Sequence, residues 1–370
     1  MSLRIATFNL ENLMNRFDFS GFRNELNQDR ALALFEIADE KQYRALEQAR
    51  AIALTDDARQ LTALAIAATR ADILCLQEVD NLAALKAFEY GYLFKMIGHG
   101  YQDKYSASGN DSRGIDVAVM MRRETAHGQP IEFVRMTSHA HHTFADFGLH
   151  TPELAALGIE PHDRIFRRDC LEIDLKVDGR PLTLYIVHFK AMSPPRNGMD
   201  GREASMPVRM AEAKAVRHIV ESRFGVEKAA SKRWVICGDL NDYRERVIIE
   251  GDSHAGHRFT PAQEAVSSLN VLTAGGFCEN VVERRPELDR WTLYHTRGPQ
   301  ERHLCQLDYI LLSEGLARHN ARAVPEIVRA GQPWRTVFPP GQEIDRYPRT
   351  GWDRPKASDH CPVAVTLDML

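Results

Sequence analysis

The chain has 370 residues, 44% of them hydrophobic, with 47 Lys and Arg against 51 Asp and Glu. That composition excludes a disordered chain, a collagen-like repeat and a disulfide-stapled mini-domain, and no apolar run reaches the roughly 18–20 residues that cross a bilayer. A net charge of −4 argues against a protein that coats nucleic acid by bulk charge, while leaving room for an enzyme that acts on phosphates at one local site.

At the N-terminus, Met1-Ser2-Leu3-Arg4 runs directly into the alternating Ile5-Ala6-Thr7-Phe8, with no secretory or transit pattern. Strands are expected at Arg4–Phe8, Ile73–Gln77, Ile115–Met121, Cys170–Val177, Leu182–Phe189, Trp234–Cys237, Leu307–Leu312 and Cys361–Leu367, where apolar and β-branched residues run together. Between them, Asp29–Ala53 is rich in helix formers, Asp56–Thr69 repeats apolar residues at helical spacing, and Arg202–Phe224 is a third helix. Thr260–Leu272 is expected as a fourth, with Thr260-Pro261 as cap and first position. Paired strands around Asp178-Gly179 read as a hairpin, and Leu182 through the Arg202 helix to Trp234 reads as a strand–helix–strand unit. The length exceeds the roughly 250–300 residues of an ordinary single core, so two domains or one large layered domain are expected.

The six cysteines, Cys75, Cys170, Cys237, Cys278, Cys305 and Cys361, contain no C-x-x-C pair. They read as reduced thiols of a cytoplasmic protein, without zinc-ligand spacing. Ser138–Arg164 reads as a solvated loop holding His139, His141, His142, His150 and His162, with transition-metal binding by the His139–His142 cluster as the alternative. Gly315–Lys356 reads as one long structured loop with eight basic and four acidic residues plus Trp334, Tyr347 and Trp352. A loop of this length suits a wall of a substrate groove, with Arg346, Arg349 and Arg354 meeting phosphates and an aromatic stacking on a base or covering an apolar group; a Pro-braced surface loop whose aromatics pack on the body is the alternative.

Polar residues that a strand core does not need gather at strand ends: Thr7-Phe8-Asn9-Leu10-Glu11-Asn12, Leu76-Gln77-Glu78-Val79, Gly114-Ile115-Asp116-Val117-Ala118, Val187-His188-Phe189-Lys190, Gly238-Asp239-Leu240-Asn241-Asp242, Leu307-Asp308-Tyr309-Ile310 and Ser358-Asp359-His360. Each alone suits a turn or a satisfied polar residue. Asp308 is harder to dismiss, because a carboxylate on an apolar strand needs a partner. In this order, the set resembles the endonuclease/exonuclease/phosphatase superfamily, the DNase-I-like fold, across nearly the whole chain.

The resemblance implies an α/β fold, a four-layer α/β/β/α sandwich of two packed mixed β-sheets. It implies a single domain over 1–370 with insertions near 22–54, 138–164 and 315–356. It also implies Mg²⁺-dependent hydrolysis of phosphate esters, with Mn²⁺ as a substitute ion. Glu78 would be the principal metal ligand, assisted by Asn9 and by Glu11 or Asp359. Asp239 would activate water. Asn241, His188 and His360 would hydrogen-bond the phosphate and its transition state, best through a protonated imidazole, and Asp308 would orient His360. Arg168 matches a phosphate-contacting arginine of the family, and Arg113 stands just before Gly114-Ile115-Asp116.

The expected partner is a phosphodiester substrate, with nucleic acid among the candidates. A phosphomonoesterase acting on a small molecule or lipid head group is the alternative, as is a non-catalytic module on the same fold. A two-metal metallophosphoesterase lacks its further Asp and His clusters here, and a serine hydrolase lacks the Gly-x-Ser-x-Gly elbow.

Overall fold

The computed structural model describes residues 2–13, 39, 56–111, 113–192, 198–297 and 301–369. The helix expected at Asp29–Ala53 and the insertion near 22–54 therefore lie outside the described residues, Asp39 apart. In chain order the strands are β1 (Ser2–Leu13), β2 (Ile73–Val79), β3 (Asp103–Ser106), β4 (Asp116–Met121), β5 (Ile131–Ser138), β6 (Cys170–Val177), β7 (Arg180–His188), β8 (Trp234–Asp239), β9 (Glu245–Asp252), β10 (Gly256–Gln263), β11 (Cys278–Asn280), β12 (Leu293–Arg297), β13 (Glu301–Cys305), β14 (Asp308–Ser313), β15 (Glu326–Ile327) and β16 (Val363–Asp368). The helices used below are α1 (Asp56–Thr69), α2 (Leu82–Phe88) and α3 (Gly201–Phe224).

Two six-stranded mixed sheets, ordered β15-β16-β1-β2-β4-β3 and β11-β14-β8-β7-β6-β5, pack face to face. Alternation along each strand sends one set of side chains between the sheets. From the first sheet these include Ile5, Ile73, Cys75, Val117 and Val119; from the second, Ile173, Leu184, Ile186, Val235 and Ile310. The opposite faces are apolar too and are covered by helices. In α1, Leu61, Ala65 and Ile66 recur at helical spacing and pack with Leu74, Leu76, Ala118 and Met120. The Asp200 carboxylate accepts from the Glu203 N–H at 2.9 Å to start α3, which lays Val216 and Val220 on Tyr185, Val187 and Ile236. The four-layer sandwich expected from the sequence is thus present.

A third, four-stranded antiparallel sheet, β10-β9-β13-β12, was not expected. It packs on the sandwich through Val247, Ile249, Trp291 and Leu304, against Phe338 and Cys361. This sheet also corrects the helix expected at Thr260–Leu272. Thr260–Gln263 belongs to β10, where Pro261 lies opposite Val247, and only Leu269–Thr273 is helical. β10 is the sheet edge, so the missing proline N–H costs no ladder bond.

The two loop regions are more built than expected. Phe144, Leu154, Ile159 and Ile165 of 138–164 are buried in the layer under α3. The region 315–356 opens with most of a helix, Glu314–His319, and includes β15. All six cysteines are buried and unpaired. Among the described residues no helix is long and apolar enough to cross a membrane.

Register is what positions the site. β1 and β2 are parallel, with Asn9 opposite Gln77; β7 and β8 are parallel, with His188 opposite Asp239. The antiparallel β14 and β16 enter from the same side, Asp308 opposite Asp239 and Val363 opposite Thr7. Four C-terminal strand ends and two N-terminal ones therefore meet at one edge. β7 and β8 approach so closely there that a Cβ on Gly238, whose φ is 144°, would stand 1.9 Å from the Val187 carbonyl oxygen. Gly238→Ala is expected to cost about 3 kcal/mol or more, at the upper end of overpacking penalties, and to lower Tm in a thermal melt.

Candidate active site

β1 breaks register between Asn9 and Leu13, and the bulge throws Glu11 and Asn12 into left-handed backbone, φ 49° and 62°. Glu78 (φ 62°) and Asn241 (φ 48°) share that conformation, so four of the seven non-glycine residues with positive φ among the described residues lie at this edge. Non-glycine residues rarely adopt it, and its cost is sustained by what the side chains then reach.

What they reach is one hydrogen-bonded cluster. The Asn9 side-chain amide donates to Asp239 Oδ2 at 3.0 Å and to Glu78 Oε1 at 3.4 Å, joining the two sheets. Asn12 N–H donates to Glu78 Oε2 at 2.8 Å. Asn241 holds Asp239 twice, by N–H to Oδ1 at 2.8 Å and by Nδ2 to Oδ2 at 3.0 Å. Two imidazoles flank the same carboxylate: His188 Nε2 is 3.5 Å and His360 Nε2 3.8 Å from Asp239 Oδ2. His360 Nδ1 meets Asp308 Oδ2 at 2.8 Å, and Asp308 N–H is held by the Thr292 hydroxyl at 3.2 Å.

Burial sets the charges. It pushes the Asp239 carboxyl up to about 7, against the pull of His360 and with Asp308 adding to the rise. Burial and the nearby Asp359 raise Glu78. His188, only 2% exposed, is driven well below the ordinary histidine range by burial, with Arg168, His360 and Arg113 adding to it. Burial pulls His360 the same way, but Asp308, Asp239 and Asp359 outweigh it and hold that imidazole protonated. The expectation of a protonated imidazole therefore fits His360, while burial keeps His188 neutral.

The remaining expected residues ring this cluster. Glu11 Oε1 is ion-paired with Arg354 at 2.5 Å and Lys356 at 3.1 Å, and its Oε2 accepts the Asp359 N–H at 2.9 Å. The Asp359 side chain is 42% exposed and lies 3.9 Å from His360 Nε2. Arg168 is buried and committed to the Phe189 carbonyl at 2.9 Å and to Asp111 at 2.9 Å. Arg113 also pairs with Asp111, at 3.1 Å, with its side chain half exposed. Both arginines act on Glu78 through their charge.

Two of the three arginines named for the long loop are engaged within the fold. Arg346 lies over Phe338 at 4.0 Å and donates to the Gln332 and Thr336 carbonyls, while Arg349 pairs with Asp57 on α1 at 3.0 Å. The histidine cluster is not merely solvated: His139 Nε2 is 3.1 Å from Glu172, and its ring stacks on His142.

Glu212 was missed by sequence reasoning. Its buried carboxylate accepts the N–H groups of Arg167 at 3.0 Å and Lys190 at 2.7 Å, fixing the chain before β6 and after β7. The signal was a carboxylate interrupting the apolar stripe Val208, Glu212, Val216. Asp242 was also unassigned. Arg202 at 2.8 Å, both Ser267 and Ser268 hydroxyls and the Ser268 N–H hold it, so it braces the turn carrying Asn241.

A divalent cation fits these residues. Glu78 offers a partly buried carboxylate whose nearest basic group among the described residues is His188 Nε2 at 3.9 Å. Among the described residues no three His, Cys, Asp or Glu side chains form a ready-made cage. Mg²⁺ does not require one, since it takes one or two carboxylates and completes its shell with water and substrate oxygens.

Residues 6–360 match the family described as Endonuclease/Exonuclease/phosphatase family. A comparison with curated proteins finds no match. Similar solved structures include TDP2 from C. elegans, at 12% identity and a TM-score of 0.48, covering 99% of this chain and 75% of that one. The human Nocturnin catalytic domain has 13% identity and a TM-score of 0.49, covering 99% and 94%. The AP endonuclease LMAP from Leishmania major has 13% identity and a TM-score of 0.47, covering 100% and 88%.

The Asp308–His360 contact yields a test. Asp308→Asn and His360→Ala are each expected to slow hydrolysis about 10²- to 10⁴-fold, and the double variant little more than the worse single. Independent, multiplicative losses would show that the two do not act together. By NMR titration, the His360 pKa should fall in Asp308→Asn, because a carboxylate that favours the imidazolium is gone.

Proposed function

Because the chain belongs to the endonuclease/exonuclease/phosphatase family, whose chemistry is phosphoester hydrolysis, we propose that it is a Mg²⁺-dependent phosphodiesterase of the nuclease type. The observation that carries this reading is the single cluster in which Asn9 joins Glu78 to Asp239 between a neutral and a protonated imidazole.

Glu78 would hold the ion, with Asn9 and Asp359 beside it, and Glu11 joins only by releasing Arg354 or Lys356. A bound Mg²⁺ supplies charge neutralisation at the phosphoryl oxygens. Asp239, with a carboxyl near 7, is matched to accept a proton from the attacking water at neutral pH. Asn9 and Asn241 fix its direction. His360, kept charged by Asp308, donates from Nε2 to an oxygen of the phosphoryl group, where charge grows in the transition state. His188 donates as a neutral imidazole. Arg113, and Arg168 beneath it, add positive potential where the phosphate would sit. A phosphodiester is favoured over a monoester because the buried site carries several carboxylates against few exposed cations, and a diester brings less negative charge into it.

Glu78→Ala should abolish hydrolysis with the fold intact by circular dichroism, and excess EDTA should do the same to the wild type. Full activity in EDTA would refute the metal assignment. A Mg²⁺ panel of supercoiled DNA, single strands, RNA, nucleotides and phospholipids identifies the substrate. On an active substrate kcat/KM should rise as pH increases through about 7, as Asp239 gives up its proton. Asp239→Asn should lose about 10²- to 10⁴-fold and that pH limb with it.

A further inference from the structure

The 315–356 region leaves one large side chain unexplained. Trp352 is 74% exposed, the most exposed large aromatic among the described residues. An exposed indole offers a large, rigid, flat face on which a ligand ring can pack. This one does not sit on a frayed tip. Arg335 N–H donates to the Trp352 carbonyl at 2.9 Å, Trp334 N–H to the Gly351 carbonyl at 3.0 Å, and Gly351 N–H to the Pro355 carbonyl at 2.8 Å. Asp353 is tied to Arg335 at 2.6 Å. The turn is so tight that a Cβ on Gly351 would lie 2.0 Å from the Arg354 carbonyl oxygen. The backbone under the indole is therefore fixed on both sides.

Two residues on, Arg354 reaches Glu11. Glu11 in turn donates its N–H to Asn9 Oδ1 at 3.0 Å, and Asn9 contacts Glu78 and Asp239. The Cα atoms of Trp352 and Arg354 can be no more than about 7.6 Å apart. The backbone that carries the indole is thus linked, through Arg354 and Glu11, to the residues of the catalytic cleft. Arg354 is 52% exposed, and among the described residues Glu11 is its one side-chain partner, through Nη2. Its other N–H donors are free to meet a phosphate. Trp334, also exposed, has Arg346 over its ring at 5.2 Å.

We propose that Trp352 is a base-stacking platform, and that with Arg354 it selects substrates carrying a nucleobase beside the scissile phosphate. This rests on the phosphodiesterase reading and narrows it to nucleic acid or nucleotide diesters. An indole offers a π-face to any base and no hydrogen-bond code, so the selection is for the presence of a base rather than its identity.

The test compares a dinucleotide with the same diester lacking one base, on wild type, Trp352→Ala and Trp352→Phe in Mg²⁺. In the wild type, losing the stacked base should raise KM roughly 5- to 150-fold with kcat little changed. Trp352→Ala should raise KM on the dinucleotide by a similar factor and close the gap between the two substrates, and Trp352→Phe should keep part of it. A second arm reads binding without turnover: a nucleoside monophosphate in excess EDTA should quench the tryptophan fluorescence of the wild type and much less that of Trp352→Phe. Quenching without any diester hydrolysis would sink the catalytic reading and support the platform. Hydrolysis with the base preference intact in Trp352→Ala would overturn the platform alone. A Trp352-dependent blue shift on phosphatidylcholine–phosphatidylserine vesicles, with no base effect, would also overturn it and mark the indole as a lipid contact.

Discussion

Glu78, Asp239 and Asp308 bring three carboxyl groups into one largely dehydrated cleft, and much of the nearby structure answers that electrostatic cost. Buried like charges cannot all stay ionised without compensation. The compensation is distributed. Backbone N–H groups of Asn12 and Asn241 point at Glu78 and Asp239, the Asn9 amide bridges the two, and one imidazolium sits on Asp308. Asp239 is left close to neutrality in pKa terms, poised rather than fully charged. The left-handed backbone at Asn12, Glu78 and Asn241 is the local geometry that lets short side chains and N–H groups converge there.

The two histidines show how position overrides residue type. Both face Asp239 Oδ2 at similar distances, yet one is neutral and the other charged. The difference is the carboxylate behind the ring: His360 has Asp308 on Nδ1, whereas His188 Nδ1 is buried with no hydrogen-bond partner among the described residues. A site with one imidazole in each state holds a hydrogen-bond donor of each strength without needing two buried counterions.

The sandwich was legible because its strands are apolar on both faces, as double-sided burial demands, and the site because polar residues interrupt those runs at their ends. Cys170–Val177 matched to the residue, and Glu78, Asp239, Asp308 and His360 gather as their motifs implied. The small sheet was not legible. β9 and β10 mix Glu, Arg, Gly and Pro with few apolar residues, since one face meets solvent, and Thr260-Pro261 carries a helix-cap signature that edge pairing overrides. Charge counting alone does not place the arginines of the long loop. Eight basic residues in sequence say nothing of the acids they meet, and Arg329, Arg335 and Arg349 find Asp289, Asp353 and Asp57. The neutrality of His188 follows from burial, which no motif encodes.

Thr292, which leads into β12, ties the small sheet to the chemistry. The Thr292 hydroxyl accepts the N–H of Asp308, its carbonyl accepts the N–H of Cys361 at 2.7 Å, and Leu293 bridges to His360. Thr292 therefore holds the backbone of Asp308 and of Cys361, the neighbour of His360, at the start of β12. For anyone wishing to graft a tag or a sensor onto this scaffold, the two ends of the small sheet are not equivalent. The exposed β9–β10 tip around Ser253–Ala255 is a permissive docking point, whereas the Thr292 end is wired to the active pair and leaves no slack.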